Sequence, residues 1–166
     1  MTTKHISKKR VIIYVLIAVL IPLTVFIALF GNPIVLKNNY NFGQSVLALE
    51  VDSIALNELT SFTWDTVYIF TPYMPRRDME EIIGFRSRHI TPTFCEGAMQ
   101  LIFVRGNRVV CSIVGYREGF HVFFYTARGE NYSKIKYEDN AVFSVERRMV
   151  RIVDTYIPMI ILLHGE

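Results

Sequence analysis

Cys95, His89 and Asp65 are the residue types from which a nucleophile, a base and an orienting acid are built, and His89 stands six positions before Cys95. Such a set works only when thiol and imidazole meet in space. The spacing itself carries no catalytic signature. No serine has nucleophile-elbow glycines, and there is no HExxH or Cys-x-x-Cys. The other histidines, His5, His121 and His164, form no i, i+4 pair. The chain therefore reads as a protein that is not an enzyme and uses no metal and no cofactor. A thiol-dependent envelope enzyme built on Cys95 is kept as a third reading.

The two cysteines also suit a disulfide between Cys95 and Cys111, because the domain carrying them is expected outside the cytoplasm. A hairpin about Gly106-Asn107 sets Arg105 against Arg108, Phe103 against Val110 and Ile102 against Cys111. In that register Leu101 and Phe103 share a face with Val110 and Ser112. Cys95 then lies over about 20 Å from Cys111 along a straight strand, so the bond forms only if the loop at 91–97 folds back. Both outcomes stay open.

The remaining chemistry is recognition. Arg76, Arg77, Arg86, Arg88 and His89 surround a short segment that also holds Tyr73, Met74 and Phe85. Arginine mixed with aromatic side chains is favoured where proteins dock. Asp78, Glu80 and Glu81 lie within the same segment and supply local ion pairs. A second candidate is the acidic stretch 130–140, with Tyr132, Tyr137, Glu138 and Asp139.

These residues need elements to hold them. Residues 62–70, FTWDTVYIF, read as a strand rich in aromatic and β-branched residues. Its pattern places Trp64, Tyr68 and Phe70 on one face, and sends Asp65 the other way to cap a turn or pair with an arginine. Pro75 suits the first turn of a helix over 75–83, with Met79, Ile82 and Ile83 on one face and Gly84 ending it. A loop follows over 86–97. Further strands are expected at 120–126 and 141–145, and a long extended run at 150–163 is broken by Pro158. Residues 46–59 lean towards extended structure with a break near Asp52-Ser53.

The run Phe62, Trp64, Asp65, Tyr68, Phe70, Pro72, Tyr73 spells Phe-x-Trp-Asp-x-x-Tyr-x-Phe-x-Pro-Tyr. It resembles the pattern of small bacterial envelope proteins in which this strand precedes a short helix and a glycine-turned hairpin. The resemblance spans about residues 54–115. It implies a shared fold and no particular activity. The arginine-rich stretch after the helix and the long apolar C-terminal end depart from that pattern.

Residues 11–30 are 20 positions without a charge, about the length that spans a bilayer as a helix. Lys4, Lys8, Lys9 and Arg10 precede them, and no acid does. The expectation is a cytoplasmic tail (1–10), an uncleaved transmembrane signal anchor (11–30), a turn-rich linker (31–45) and an outer domain (46–166). That makes a single-pass protein of the bacterial inner membrane, N-terminus in, with its domain periplasmic or extracellular. The expected fold class is α+β: the membrane helix, then a mainly antiparallel sheet with one or two short helices.

The formal net charge of +3 is concentrated in the tail. Four of the 18 basic residues precede position 11, which leaves 14 against all 15 acids. A near-neutral domain lacks the electrostatic footprint of a nucleic-acid binder. At 51% hydrophobic and 13% aromatic the chain is not disordered. The expected function is a membrane-anchored protein-binding module acting outside the cytoplasm, most specifically an immunity protein whose partner is a secreted toxin. The alternative is a structural or accessory subunit of an envelope complex.

Overall fold

The computed structural model describes residues 8–115, 122–125, 131–152 and 155–164. Contacts divide the chain into two units, 1–33 and 34–166. The first contains one helix, α1 (Lys8–Phe30), with Pro22 inside it. Thr24 Oγ1 donates to Leu20 O at 2.9 Å and to Ile21 O at 2.8 Å.

The helix expected over 11–30 is present, but the transmembrane anchor is not supported. Lys8 and Lys9 stand in its first turn. Among the described residues no helix is long and apolar enough to cross a membrane. The single-pass inner-membrane placement, and the inside–outside topology derived from it, are corrected accordingly.

The second unit is α+β, with two four-stranded sheets where one was expected. Its elements are α2 (Pro33–Leu47), β1 (Ser53–Ala55), α3 (Leu56–Leu59), β2 (Thr66–Phe70), α4 (Arg76–Ile83), β3 (Gln100–Arg105), β4 (Arg108–Val114), β5 (Val122–Tyr125), β6 (Tyr132–Lys136), β7 (Val142–Ile152) and β8 (Thr155–Leu163). A 3-10 turn, Tyr137–Asp139, follows β6. One sheet runs β4-β3-β2-β6 and is antiparallel throughout. The other runs β1-β7-β8-β5, with β5 parallel to β8. The strand expected at 120–126 is seen as β5. His121 and His5 lie outside the described residues, as do positions 1–7.

Residues 31–45, expected as a turn-rich linker, instead enter α2, which buries Val35, Asn38, Phe42, Gly43 and Val46. Apolar spacing at 35, 42 and 46 gives it a core face, and burial of that face outweighs the weak helix propensity of its asparagines. The main core lies between the sheets. Val67, Ile69, Leu101, Phe103, Cys111 and Ile113 enter from one sheet, and Val122, Phe124, Phe143, Val145 and Leu162 from the other. Phe42 sits between them, its ring centroid 5.2 Å from that of Phe103 and 6.1 Å from that of Phe124.

A smaller core covers the opposite face of the first sheet. Tyr68, Phe70, Ile102 and Val104 pack there against Met79 and Ile83 of α4 and against Ile90. Trp64 does not share that face. It precedes β2, joins the main core and donates Nε1–H to Thr60 Oγ1 at 2.9 Å.

The β3–β4 hairpin closes at Arg105 and Arg108 as expected, with Gly106 in the left-handed region at φ 54°. Its register then departs from expectation. A bulge between Phe103 and Val104 pairs Phe103 with Cys111 and Ile102 with Ser112. The extra residue turns Val109, Cys111 and Ile113 to the buried positions and leaves Val110 and Ser112 half-buried. Asn38 Nδ2 donates to Val110 O at 2.8 Å, and Ser112 N–H donates to Asn39 Oδ1 at 2.8 Å. The amides of α2 thus satisfy the open edge of β4.

Phe42→Ala removes the ring that both sheets pack on. It is expected to lower unfolding free energy by about 3–5 kcal/mol in urea titrations. The exposed neighbour Tyr40, replaced by Ala, is expected to change it by no more than about 0.5 kcal/mol.

Candidate functional site

The arginine-rich segment is built on α4. Pro75 is its N-cap and Gly84 its C-cap, the latter at φ 93° with its N–H donating to Glu80 O at 2.9 Å. Met79 and Ile83 bury one side of the helix in the smaller core, which turns Arg76, Arg77 and Asp78 to solvent.

Of the expected docking residues, Arg77, Phe85 and Arg86 come together. With Glu80, Glu81 and Gly84 they line a cleft of about 450 Å³. Arg86 extends into solvent, its side chain 94% exposed and its Nε 4.0 Å from Glu80 Oε2. Arg77 is exposed, and no carboxylate pairs with it among the described residues. Phe85 is half-buried, with its inner side against the smaller core.

The others have different work. Arg76 donates Nε–H to Glu80 Oε1 at 2.8 Å and Nη2–H to Ser87 O at 2.7 Å, which staples α4 to its exit loop. Met74 packs on the smaller core. Arg88 is exposed. His89 is half-buried, and its carbonyl accepts from Ser112 Oγ at 2.7 Å. Desolvation, with the charge of Arg88 second, holds its imidazole below the ordinary histidine range.

Tyr73 is exposed and does not line the cleft. Its backbone is left-handed at φ 68°, held by its N–H donating to Thr93 O at 2.7 Å. Its hydroxyl donates to Glu96 Oε2 at 3.4 Å. Partial desolvation, then the charge and hydrogen bond of Glu96, raise the phenol above its ordinary value. Phe94, 71% exposed, lies in the same connection as Thr93 and Cys95. The sequence pattern passed over Phe94 and Glu96, because nothing in a turn-rich stretch marks which loop residues will stand out.

Asp65 does cap a turn. Its Oδ2 accepts from Gly106 N–H at 2.6 Å, fixing the β3–β4 hairpin to the entry of β2. It is thereby placed away from the catalytic role considered for it. Among the described residues no hydrogen bond joins His89 to Cys95. Cys95 is exposed and Cys111 buried in the main core, and both are free thiols. Burial pushes the Cys111 thiol far above its usual value. Among the described residues no group of three His, Cys, Asp or Glu side chains is placed to hold a metal ion.

The described part of the acidic stretch, 131–140, sets its exposed acids beside a lysine. It folds as β6 and the 3-10 turn, with Lys136 Nζ on Glu138 Oε1 at 2.8 Å and Asp139 Oδ2 accepting from Lys136 N–H at 2.7 Å. Tyr137 packs edge-on against Trp64 at 5.1 Å. Glu130 lies outside the described residues.

No family model matches the chain, and no curated protein or solved structure matches it. No match therefore links it to toxin-neutralising proteins or to a periplasmic location. The helix finding above removes the inner-membrane placement.

Two measurements follow. Because the folded pKa of His89 lies below its unfolded value, the unfolded chain binds the extra proton between the two values. Stability is complete above the unfolded pKa and falls as pH drops through the window beneath about 6.5. His89→Gln is expected to flatten this part of the urea-unfolding pH profile. With a thiol reagent at neutral pH, Cys95 is expected to react within the mixing time of the folded protein and Cys111 only after denaturant is added, as mass spectrometry of the labelled peptides would report.

Proposed function

We propose that the chain is a protein-binding module whose partner docks on the cleft between α4 and its exit loop. The observation that carries this reading is the Arg77–Phe85–Arg86 group. It offers a half-buried aromatic ring, one guanidinium without a carboxylate partner among the described residues and a second held only at 4.0 Å. Arginine and aromatic side chains around a concavity are the side chains that dominate binding energy at protein interfaces.

Local ion pairing supports the choice of these residues over their neighbours. Glu80 is spent on Arg76, so the helix-to-loop staple is internal and the outer arginines remain for a partner. The complementary surface would present carboxylates to Arg77 and Arg86 and an apolar side chain to Phe85. The cleft lacks a nucleophile, a paired base and a metal cluster among the described residues, which favours recognition over catalysis.

The test places a photo-crosslinking amino acid at position 85 of the full chain in its native cells, with position 40 as control. A discrete adduct is expected from 85 and none from 40. Arg77→Glu with Arg86→Glu is expected to reduce that adduct by about thirty-fold, the loss of one interface hot spot, while unfolding stays as in the native chain. An adduct that is indifferent to the two charge reversals refutes the reading.

A further inference from the structure

The strand β7 outruns its neighbours. β1 pairs with it only at Val142, Phe143 and Ser144, and β5 pairs with β8 only from Ile160 to Leu163. From Arg148 onward β7 and β8 form a two-stranded ribbon with no third strand on either edge among the described residues.

The two edges differ. Ala141 O accepts from Leu56 N–H at 2.9 Å and Val145 N–H donates to Asp52 O at 2.8 Å, so odd-numbered residues of β7 turn their backbone groups outward, towards the side of β1. By the alternation of an antiparallel ladder, Met149 does the same. Pro158 stands opposite Met149, which puts its missing donor on the outer edge of β8. Proline there costs the ladder nothing and closes that edge to pairing. The edge of β7 holds no proline.

Beside the open edge lies a cleft of about 390 Å³, lined by Leu47, Leu49, Met149, Met159 and Ile160 with Arg147 and Arg148. Met149 and Tyr156 are 61% and 63% exposed. Charge then selects what can fill it. The stretch from 146 to 151 has three arginines, Arg147, Arg148 and Arg151, against the single acid Glu146. Glu146 is paired with Arg148. Arg147 donates to Leu49 O at 2.6 Å and Val51 O at 3.3 Å, bonds that leave its positive charge without a carboxylate among the described residues. Two copies joined edge to edge would run antiparallel about a twofold axis. Registers centred on Arg147, Arg148 or Met149 would each set guanidinium against guanidinium, which disfavours self-pairing.

We propose that the open edge of β7 and its cleft take up an extended acidic segment of another protein, added as a further strand. Its backbone pairs outward of Met149, its carboxylates face Arg147 and Arg148, and an apolar side chain enters the cleft beside Met149. This surface lies in the other sheet from α4 and does not depend on the function proposed above.

The probes are two fluorescein-labelled peptides, Thr-Glu-Glu-Val-Thr-Glu-Thr and its analogue with Lys in place of each Glu, titrated by anisotropy against the full chain. The acidic peptide is expected to bind at least about tenfold more tightly than the lysine peptide, with affinity falling as salt rises. Met149→Pro removes one outward N–H and leaves the β7–β8 ladder as Pro158 already does, so it is expected to weaken acidic-peptide binding by about tenfold. Arg147→Gln with Arg148→Gln, which removes both charges and keeps an amide donor at each position, is expected to do the same, whereas Arg77→Glu with Arg86→Glu is not. Hydrogen exchange is expected to slow at the Met149 amide when the acidic peptide is added. Equal binding of the two peptides, unaltered binding in both the Met149 and the double-arginine variants, or protection confined to other strands overturns the proposal. So does concentration-dependent self-association that Met149→Pro abolishes, which would make a second copy the occupant.

Discussion

Phe42 is the contact on which the second unit depends. A single ring from α2 is fully buried between Phe103 of one sheet and Phe124 of the other. Each of the two small sheets turns an apolar face towards the other, and neither is wide enough to close on itself. The ring fills the space where they diverge and holds α2 over both. From that placement comes the next constraint: Asn38 and Asn39, one turn earlier on α2, reach the bulged edge of β4 and satisfy Val110 O and Ser112 N–H. Packing and polar satisfaction are thus achieved by the same helix.

The first sheet is covered on both faces, and this sets up the α4 cleft. Its inner face meets the main core. Its outer face carries Tyr68, Phe70, Ile102 and Val104, which would be a large exposed apolar patch without α4 and the loop through Ile90. The helix is therefore held by burial of Met79 and Ile83, and its arginines are displayed on the outer side. Arg76 then ties helix to loop through Glu80 and Ser87, which fixes the position of Phe85 and leaves Arg77 and Arg86 as the variable charges of the cleft.

The second sheet is finished differently. Its inner residues Phe143, Val145 and Leu162 are buried, but the same strands continue past the core, where Met149 and Tyr156 meet solvent. A ribbon that leaves its sheet has unpaired backbone groups, and proteins guard these with proline and charge. Pro158 guards one edge and the arginines the other. The two guards are not equivalent: proline removes a donor outright, whereas charge excludes only partners of like sign.

Local chemistry was legible in the sequence. Pro75 and Gly84 bracket α4, Gly106 turns the hairpin, and the β-branched run at 66–70 makes a strand, because each depends on residues within a few positions of one another. Arg77, Phe85 and Arg86 line one cleft because the short helix and its exit bring them together. What required tertiary structure depends on distant partners. The segment 31–45 reads as a linker until Phe42 and Val46 find the two sheets. The bulge that sets Cys111 against Phe103 has no mark in the strand pattern and is stabilised by asparagines some 70 positions away. Trp64 and Tyr68 alternate as one face but diverge because the strand begins only at Thr66. The long apolar stretch near the N-terminus shows the same limit. Composition predicted a helix that crosses a membrane; the helix formed, and among the described residues no helix is long and apolar enough to cross one.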